Sequence, residues 1–205
     1  MDVFFFLRGL GLGFAIAAPV GPIGVLCIRR TLADGRLMGF VTGLGAATAD
    51  ATYGAIAAFG VSAVTSALVG LRLWIHLLGA LFLAWLGVRT LLARPATKAT
   101  ASAAEPGRAG LVAAWASTVA LTLTNPATII SFAAVFAGLG LVGVGYTAAG
   151  LTVAGVFCGS ALWWLLLSGV VSLLRSRFDA RAMRIVNIAS GLLLLGFAAL
   201  SLASL

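Results

Sequence analysis

The chain has 205 residues, of which 62% are hydrophobic and only 9% are charged. Soluble domains are about half apolar and about a quarter charged. This composition therefore excludes a water-soluble globular domain and predicts an integral membrane protein. The formal net charge of +8 does not indicate nucleic-acid binding, because all but two of the basic residues lie in three connections between apolar stretches.

Six apolar stretches follow one another along the chain, and a membrane-crossing helix needs about 20 such residues. The stretches cover 3–28, 37–59, 73–92, 111–136, 146–174 and 185–205. Asp2 precedes the first stretch and Arg8 interrupts it, which is unlike a cleavable signal peptide. We therefore expect the first stretch to be a retained span.

A flexible linker rich in Ala, Thr, Ser and Pro, residues 93–108, separates two halves of three spans each, 1–92 and 109–205. Because each half has an odd number of spans, the two halves cross the membrane in opposite orientations. This is the topology of an inverted repeat. The predicted fold class is an all-α integral membrane protein with six transmembrane helices, arranged as two inverted three-helix repeats.

The basic residues predict the orientation of the chain. Of 13 Lys and Arg residues, only Arg8 and Arg72 lie outside three connections. Those connections hold Arg29, Arg30 and Arg36, then Arg89, Arg94, Lys98 and Arg108, then Arg175, Arg177, Arg181 and Arg184. By the positive-inside rule the three connections face the cytoplasm and both termini face outward. Anionic lipid head groups are the expected counterpart of this charge.

Proline and glycine predict a break in the first span and another in the fourth. Pro19, Gly21, Pro22 and Gly24 interrupt the first, and Thr124-Asn125-Pro126 interrupts the fourth. Gly21 and Asn125 each resemble a helix N-cap followed by proline at the first helical position. The N-terminus of each new half-helix would present unpaired N–H groups that suit a carboxylate. Broken helices at corresponding positions of two halves point to a transporter binding site.

Asp50 is the only acid within the apolar stretch 37–61. A carboxylate near the centre of the bilayer costs about 2.5–3.5 kcal/mol on insertion scales and usually faces a cavity or a partner. A face of small residues carries it into the bundle, at spacings of three and four: Gly39, Gly43, Ala47, Asp50 and Gly54. We predict that Tyr53, one turn on, donates a hydrogen bond to Asp50.

The fifth span repeats the small-residue face with Gly155 and Gly159, and Trp163 continues that face. We predict that Trp163 walls a cavity and that Trp164 faces lipid or the membrane interface. The predicted substrate-binding residues are Asp50, Gly21, Pro22, Gly24, Tyr53, Thr124, Asn125, Pro126 and Trp163, with Asp50 also coupling protons. His76, near the outer end of the third span, is a further candidate for proton transfer.

The motifs together resemble a known family. Pro19-Val20-Gly21-Pro22, Arg29-Arg30, Gly43-Leu44-Gly45, Asp50 and Asn125-Pro126 are similar to the pattern of LysE/RhtB-type amino-acid exporters. The resemblance implies export of amino acids or close derivatives across the bacterial inner membrane, coupled to protons or to the membrane potential. It implies that Asp50, Gly21-Pro22 and Asn125-Pro126 are functional residues. Where many members read Pro-Gly-Pro, this chain reads Pro-Val-Gly-Pro.

Other functions stay open. A metal-cation exporter would need more ligands than Asp50 and His76, and a thiol–disulfide electron carrier would depend on Cys27 and Cys158, which are poorly placed. A non-transporting membrane subunit is a third alternative. The sequence predicts no enzyme, no cofactor and no nucleic-acid partner. The expected partners are a small amino-acid substrate, protons and lipids, with a homodimer as one possible assembly.

Overall fold

Helices make up nearly all of the part of the chain that the structure describes. The computed structural model describes residues 2–19, 21–58, 72–93, 107–125, 128, 132, 145–174 and 179–203. Seven helices lie within these residues: α1 Asp2–Ala17, α2 Pro22–Asp34, α3 Arg36–Ala58, α4 Arg72–Leu92, α5 Arg108–Leu123, α6 Tyr146–Leu174 and α7 Ala180–Ala203.

Two of these helices, Tyr146–Leu174 and Ala180–Leu200, are long and apolar enough to cross a bilayer. The pair α1 and α2, bent by 81°, forms a third candidate if the two helices cross as one broken span. The helices α4 and α5 contain the shorter apolar segments Leu77–Leu92 and Arg108–Leu123. The prediction of an all-helical membrane protein is confirmed, while the count of six spans remains a prediction.

Large apolar side chains cover the outside of the bundle. Leu166, Val170 and Leu173 on α6 are exposed, as are Ile185 and Leu192 on α7. Soluble monomers rarely expose contiguous apolar patches of more than a few hundred Å². This outer surface suits contact with lipid chains.

The helices begin and end at local capping residues, and these positions differ from the limits of the apolar stretches in the sequence. Asp179 accepts a hydrogen bond at Oδ1 from the Ala182 backbone N–H at 2.7 Å, so α7 begins before the apolar stretch at 185. Gly35, with φ of 99°, ends α2, and its N–H bonds to the Thr31 carbonyl. Glycine suits this position because a positive φ is costly for residues that carry a Cβ atom.

The main packing partners come from opposite halves of the chain. The helices α1 and α3 pack on α6, α3 also packs on α5, and α4 packs on α7. A Cβ atom at Gly13 of α1 would overlap the Val156 carbonyl, and one at Gly159 of α6 would overlap the Leu10 carbonyl. Small residues thus let α1 and α6 touch backbone to backbone, as the small-residue face of the fifth span predicts.

Candidate functional site

The first predicted break is confirmed. The helix α1 ends at Ala17, and α2 begins at Pro22 after an extended Gly21 with φ of −105°. Proline fits the first helical position because the N–H it lacks would have no intrahelical partner there. Gly21 is therefore the N-cap of a second half-helix, as the sequence predicts, while Val20 lies outside the described residues.

The N-terminus of α2 has no side-chain cap. The Gly21 carbonyl accepts the first helical bond, from the Val25 N–H at 3.1 Å. The N–H groups of Ile23 and Gly24 belong to the first turn, where an α-helix leaves its donors without intrahelical partners. An uncapped first turn of this kind is suited to an anion.

The second predicted break lies at the end of α5. After Leu123, the Asn125 N–H turns back to the Thr122 carbonyl at 3.1 Å. The Asn125 carbonyl then accepts from the Thr128 N–H, also at 3.1 Å, which begins a new turn. Pro126 and most of the half-helix predicted after it lie outside the described residues.

Asp50 lies inside the bundle with only 4% of its surface exposed. The Ser160 hydroxyl donates to its Oδ2 at 2.7 Å, and the Trp164 indole N–H donates to the Ser160 hydroxyl at 3.1 Å. A chain of two hydrogen bonds therefore leads from α6 to the carboxylate on α3. A carboxylate has about four acceptor positions, so one hydroxyl leaves capacity for a ligand.

A cavity of about 440 Å³ brings Asp50 and both breaks together. Small-molecule sites are typically clefts of about 300–1,000 Å³ with a few convergent polar groups. The residues around the cavity come from α1 to α7 and from the two breaks: Ile16, Ala17, Pro19, Gly21, Pro22, Ile23, Gly24, Ala46, Asp50, Gly79, Leu83, Leu121, Thr122, Thr124, Asn125, Thr128, Trp164, Phe197 and Leu200.

Most of the predicted site residues lie on this cavity. Gly21, Pro22, Gly24, Asp50, Thr124 and Asn125 all line it. Their proximity in space was inferred from their positions in corresponding halves, and the structure brings them together. Their roles toward a substrate remain a prediction.

The predicted hydrogen bond from Tyr53 to Asp50 is wrong. The Tyr53 hydroxyl donates to the carbonyl of Leu123, which is the last residue of α5. Tyr53 is not among the residues that line the cavity. Terminal carbonyls of a helix lack intrahelical donors. Tyr53 therefore holds the end of α5 at the second break and leaves Asp50 to Ser160.

The predicted positions of the two tryptophans are reversed. Trp164 is 3% exposed and lines the cavity, whereas Trp163 packs edge-on against Phe14 of α1 with ring centroids 5.4 Å apart. Trp163 does continue the face of Gly155 and Gly159, but that face packs on α1. One residue further, about 100° around the helix, Trp164 faces α3 and contacts Gly43.

Ser160 is the partner of Asp50 that sequence reasoning missed. It was visible as a small polar residue in the middle of an apolar helix, one helical turn before Trp164. Small hydroxyl residues in apolar helices often bond within their own helix, so the sequence did not point to Asp50. Two other polar residues of the apolar helices also have partners: Thr48 donates to the Leu44 carbonyl at 2.8 Å, and Asn187 joins α7 to neighbouring segments.

Among the described residues that line the cavity, Asp50 is the only one with a carboxylate, and neither Cys27 nor Cys158 is in this set. Cys27 is buried and Cys158 is exposed, and both are free thiols. Within the described ranges, no group of three or more His, Cys, Asp or Glu residues is close enough to hold a metal ion. The side chain of His76 lies outside the description.

The protein is a membrane protein of several helices. It combines a broken helix, a second helix that ends at the same cavity, and a carboxylate within the membrane. These are features of secondary transporters. The sequence model of the LysE type translocator family matches residues 14–204. The chain therefore belongs to the LysE type translocator family, whose members are transporters rather than enzymes.

One curated relative is "Putative amino acid efflux protein YcgF" of Bacillus subtilis (strain 168). It is 26% identical over 196 residues, which cover 94% of this chain and 92% of the relative. No solved structure matches the chain.

Proposed function

We propose that the protein exports amino acids or close derivatives across the bacterial cytoplasmic membrane. Membership in a translocator family supports transport, and the name of the Bacillus relative supports amino-acid efflux. The observation that carries the proposal is the shared cavity, where the Asp50 carboxylate and the uncapped start of α2 face the same space. An amino acid has a cationic ammonium group, which the Asp50 carboxylate complements, and an anionic carboxylate, which the uncapped start of α2 complements.

In the proposed binding mode, the carboxylate of Asp50 takes the substrate ammonium, and the N–H groups after Gly21 take the substrate carboxylate. The turn at Asn125, whose carbonyl accepts from the Thr128 N–H, lies on the same cavity. Asp50 contributes the charged group, and the remaining polar lining comes from hydroxyl, amide and backbone groups such as those of Thr124 and Asn125. This favours neutral or small polar amino acids over lysine or arginine, whose second charge has no complementary partner in the described lining.

Proton coupling is proposed to arise by competition at Asp50. A proton and an ammonium group cannot both neutralise one carboxylate, so outward release of substrate allows a proton to bind and move inward. Ser160 positions the carboxylate for this exchange through the bond at 2.7 Å. Charged groups within membrane helices are commonly used for proton relays of this kind.

The proposed architecture has six spans in two inverted repeats, 1–92 and 109–205, joined by the linker 93–108. The helix contacts support it. In an inverted repeat, α1 corresponds to α5, α3 to α6 and α4 to α7. The contact of α1 with α6 then has its counterpart in the contact of α5 with α3, and both pairs pack closely. Exchange of the two halves leaves the pairs of α3 with α6 and of α4 with α7 unchanged, as a two-fold relation requires. The proposed orientation places the basic connections in the cytoplasm and both termini outside.

The test is efflux from proteoliposomes loaded with individual labelled amino acids, with and without a pH gradient, against liposomes without protein. We expect gradient-dependent loss of neutral or small polar amino acids from the protein-containing vesicles. If no amino acid leaves faster than from empty liposomes, the proposed substrate class is wrong.

A further inference from the structure

The inference concerns a layer of polar side chains, hereafter the polar layer, formed by Arg29, Arg30, Thr42, Ser117, Thr118 and Asn187. The two arginines come from the last turns of α2, in the first half of the chain. Their partners in α5 and α7 belong to the second half. In the sequence these arginines indicated the orientation of the chain and formed part of the family resemblance, but no individual role followed from them.

Arg30 is bonded to two helices at once. Its Nη1 donates to the Thr42 hydroxyl of α3 at 3.2 Å, and to the Ala114 carbonyl and Thr118 hydroxyl of α5 at 3.1 and 3.3 Å. Its Nη2 donates to the Ser117 hydroxyl at 3.0 Å. Three of these four bonds join α2 to α5, across the two halves.

The hydroxyl partners are oriented to accept. Thr42 donates its own proton to the Met38 carbonyl at 2.8 Å, and Ser117 and Thr118 donate theirs to the Ala114 carbonyl. Each hydroxyl thereby turns its lone pairs toward the guanidinium. Because arginine has donors and no acceptor, this arrangement is specific for a donor group at this position.

Arg29 adds a second link between the halves. Its Nε donates to the Asn187 side-chain oxygen of α7 at 3.2 Å, and the Asn187 amide donates to the Ala93 carbonyl at 3.3 Å. The end of α2 is therefore fixed to both α5 and α7. Its opposite end, at Pro22, borders the cavity.

The polar layer lies on one side of the cavity along every helix that contributes to it. At about 1.5 Å per residue, Thr42 is roughly 6 Å before the cavity residue Ala46 on α3. Thr118 is roughly 4.5 Å before Leu121 on α5 by the same rise. Asn187 likewise precedes Phe197 on α7. The side is that of the basic connections, which the proposed orientation places in the cytoplasm.

We propose that Arg30 is a positioning residue that closes the cytoplasmic side of the cavity by bonding α2 to α5. This rests on the proposed export function, since a substrate from the cytoplasm must pass the polar layer to reach Asp50. Release of the three bonds to α5 separates the end of α2 from α5, and movement of α2 away from the second half also breaks the bond between Arg29 and Asn187. The hinge for this movement is the break at Gly21, where α1 and α2 already meet at 81°.

The experiment measures access to the cavity without measuring transport. Cysteine is introduced as Ala46→Cys on the cavity wall, in a protein whose Cys27 and Cys158 are replaced by serine. A membrane-impermeant cationic thiosulfonate reagent is applied to inside-out and right-side-out vesicles. The labelling rate from each face is compared for Arg30, Arg30→Gln and Arg89→Gln.

Arg89→Gln is the matched control. Arg89 also lies at the end of a helix near the basic connections, but its guanidinium packs over the Trp85 ring of the same helix, 5.2 Å from its centroid. The Arg89→Gln variant therefore removes the same charge as Arg30→Gln but breaks no described hydrogen bond between the two halves. We expect Arg30→Gln to raise labelling from the cytoplasmic face at least about tenfold, the effect of losing one charge-assisted hydrogen bond, with no change in Arg89→Gln.

Thr118→Val is a second variant in case Arg30→Gln fails to fold. It removes an acceptor on α5 at nearly constant volume and charge, so labelling from the cytoplasmic face should rise in the same direction by a smaller factor. An unchanged rate in both variants, or an equal rise from both faces, would overturn the proposal. Since labelling needs no substrate, these outcomes are separate from failure of amino-acid export.

Discussion

Asp50 and Arg30 are two charged side chains inside one bundle, and their surroundings differ in kind. One hydrogen bond, from Ser160, is described for the Asp50 carboxylate, which borders a cavity. Four bonds are described for the Arg30 guanidinium, all to oxygen atoms of neighbouring helices. A charge with spare capacity beside a cavity is available to a ligand, whereas a charge surrounded by helix partners holds the helices together.

The largest effect should come from Asp50→Asn. The carboxamide oxygen still accepts from Ser160, but the charge that binds an ammonium or a proton is gone. We expect gradient-driven efflux and its pH dependence to fall to the level of empty liposomes, with little change in thermal unfolding. Proteoliposome efflux and unfolding of the detergent-solubilised protein measure the two effects.

Asp179→Asn is the control for Asp50→Asn. Asp179 is exposed and accepts a backbone bond at the start of α7, so loss of its charge leaves the cavity unchanged. Efflux by Asp50→Asn at the native rate and with the native pH dependence would contradict the proposed role of Asp50.

Arg30→Ala should show the opposite pattern in stability. A hydrogen bond to a charged group contributes about 1.5–3 kcal/mol in net terms, and the four bonds of Arg30 do not add, because removing the side chain also removes the cost of burying its charge. We expect the free energy of unfolding to fall by about 2–3 kcal/mol, measured by denaturant titration in detergent. Arg89→Ala, which loses a contact within α4, should change it by less than about 1 kcal/mol. Equal losses in the two variants would mean that the polar layer does not hold the halves together.

Two glycines of α1 test the packing that surrounds the cavity. A Cβ atom at Gly13 would overlap the Val156 backbone of α6, whereas a Cβ atom at Gly11 has no neighbour within 4 Å. Gly13→Ala should lower the free energy of unfolding by about 1–3 kcal/mol. Gly11→Ala should be neutral or stabilise by up to about 1 kcal/mol, because alanine favours the helix. The same unfolding titration checks the pair, and a reversed order would disprove the close contact of α1 with α6.

The smallest effect separates the two tryptophans. Trp164→Phe removes the donor to Ser160 and alters the cavity wall, while Trp163→Phe keeps an aromatic ring against Phe14. A neutral hydrogen bond is worth about 0.5–1.5 kcal/mol, so Trp164→Phe should raise the substrate concentration for half-maximal efflux by roughly 2- to 10-fold. Trp163→Phe should leave that concentration nearly unchanged. A larger change of this concentration in Trp163→Phe than in Trp164→Phe would mean that Trp163, and not Trp164, lines the cavity.

Several features of the site were predictable because they depend on local sequence. Proline lacks a backbone donor wherever it occurs, so the break at Gly21-Pro22 and the end of α5 before Asn125 followed from residue type. Asp50 stood out because a carboxylate in an apolar stretch is costly in any membrane fold. The small-residue faces of α3 and α6 followed from helical spacing.

Other features were not predictable, because a helix has many faces and its sequence does not say which neighbour each face meets. The face of Gly155, Gly159 and Trp163 was identified correctly, but it packs on α1, so the cavity received Trp164. Tyr53 is three residues from Asp50 along α3, but its hydroxyl donates to the Leu123 carbonyl at the end of α5.

The sequence by itself determined that the protein lies in a membrane, that the first span breaks at Gly21-Pro22, that α5 ends before Asn125 and that Asp50 is buried, since these depend on composition and backbone chemistry. Only the tertiary structure decided that both breaks and Asp50 share one cavity, that Ser160 bonds to Asp50, and that Arg30 links α2 to α5. Each of these is a contact between residues far apart in the chain, and it exists only once the packed helices fix which side chains meet.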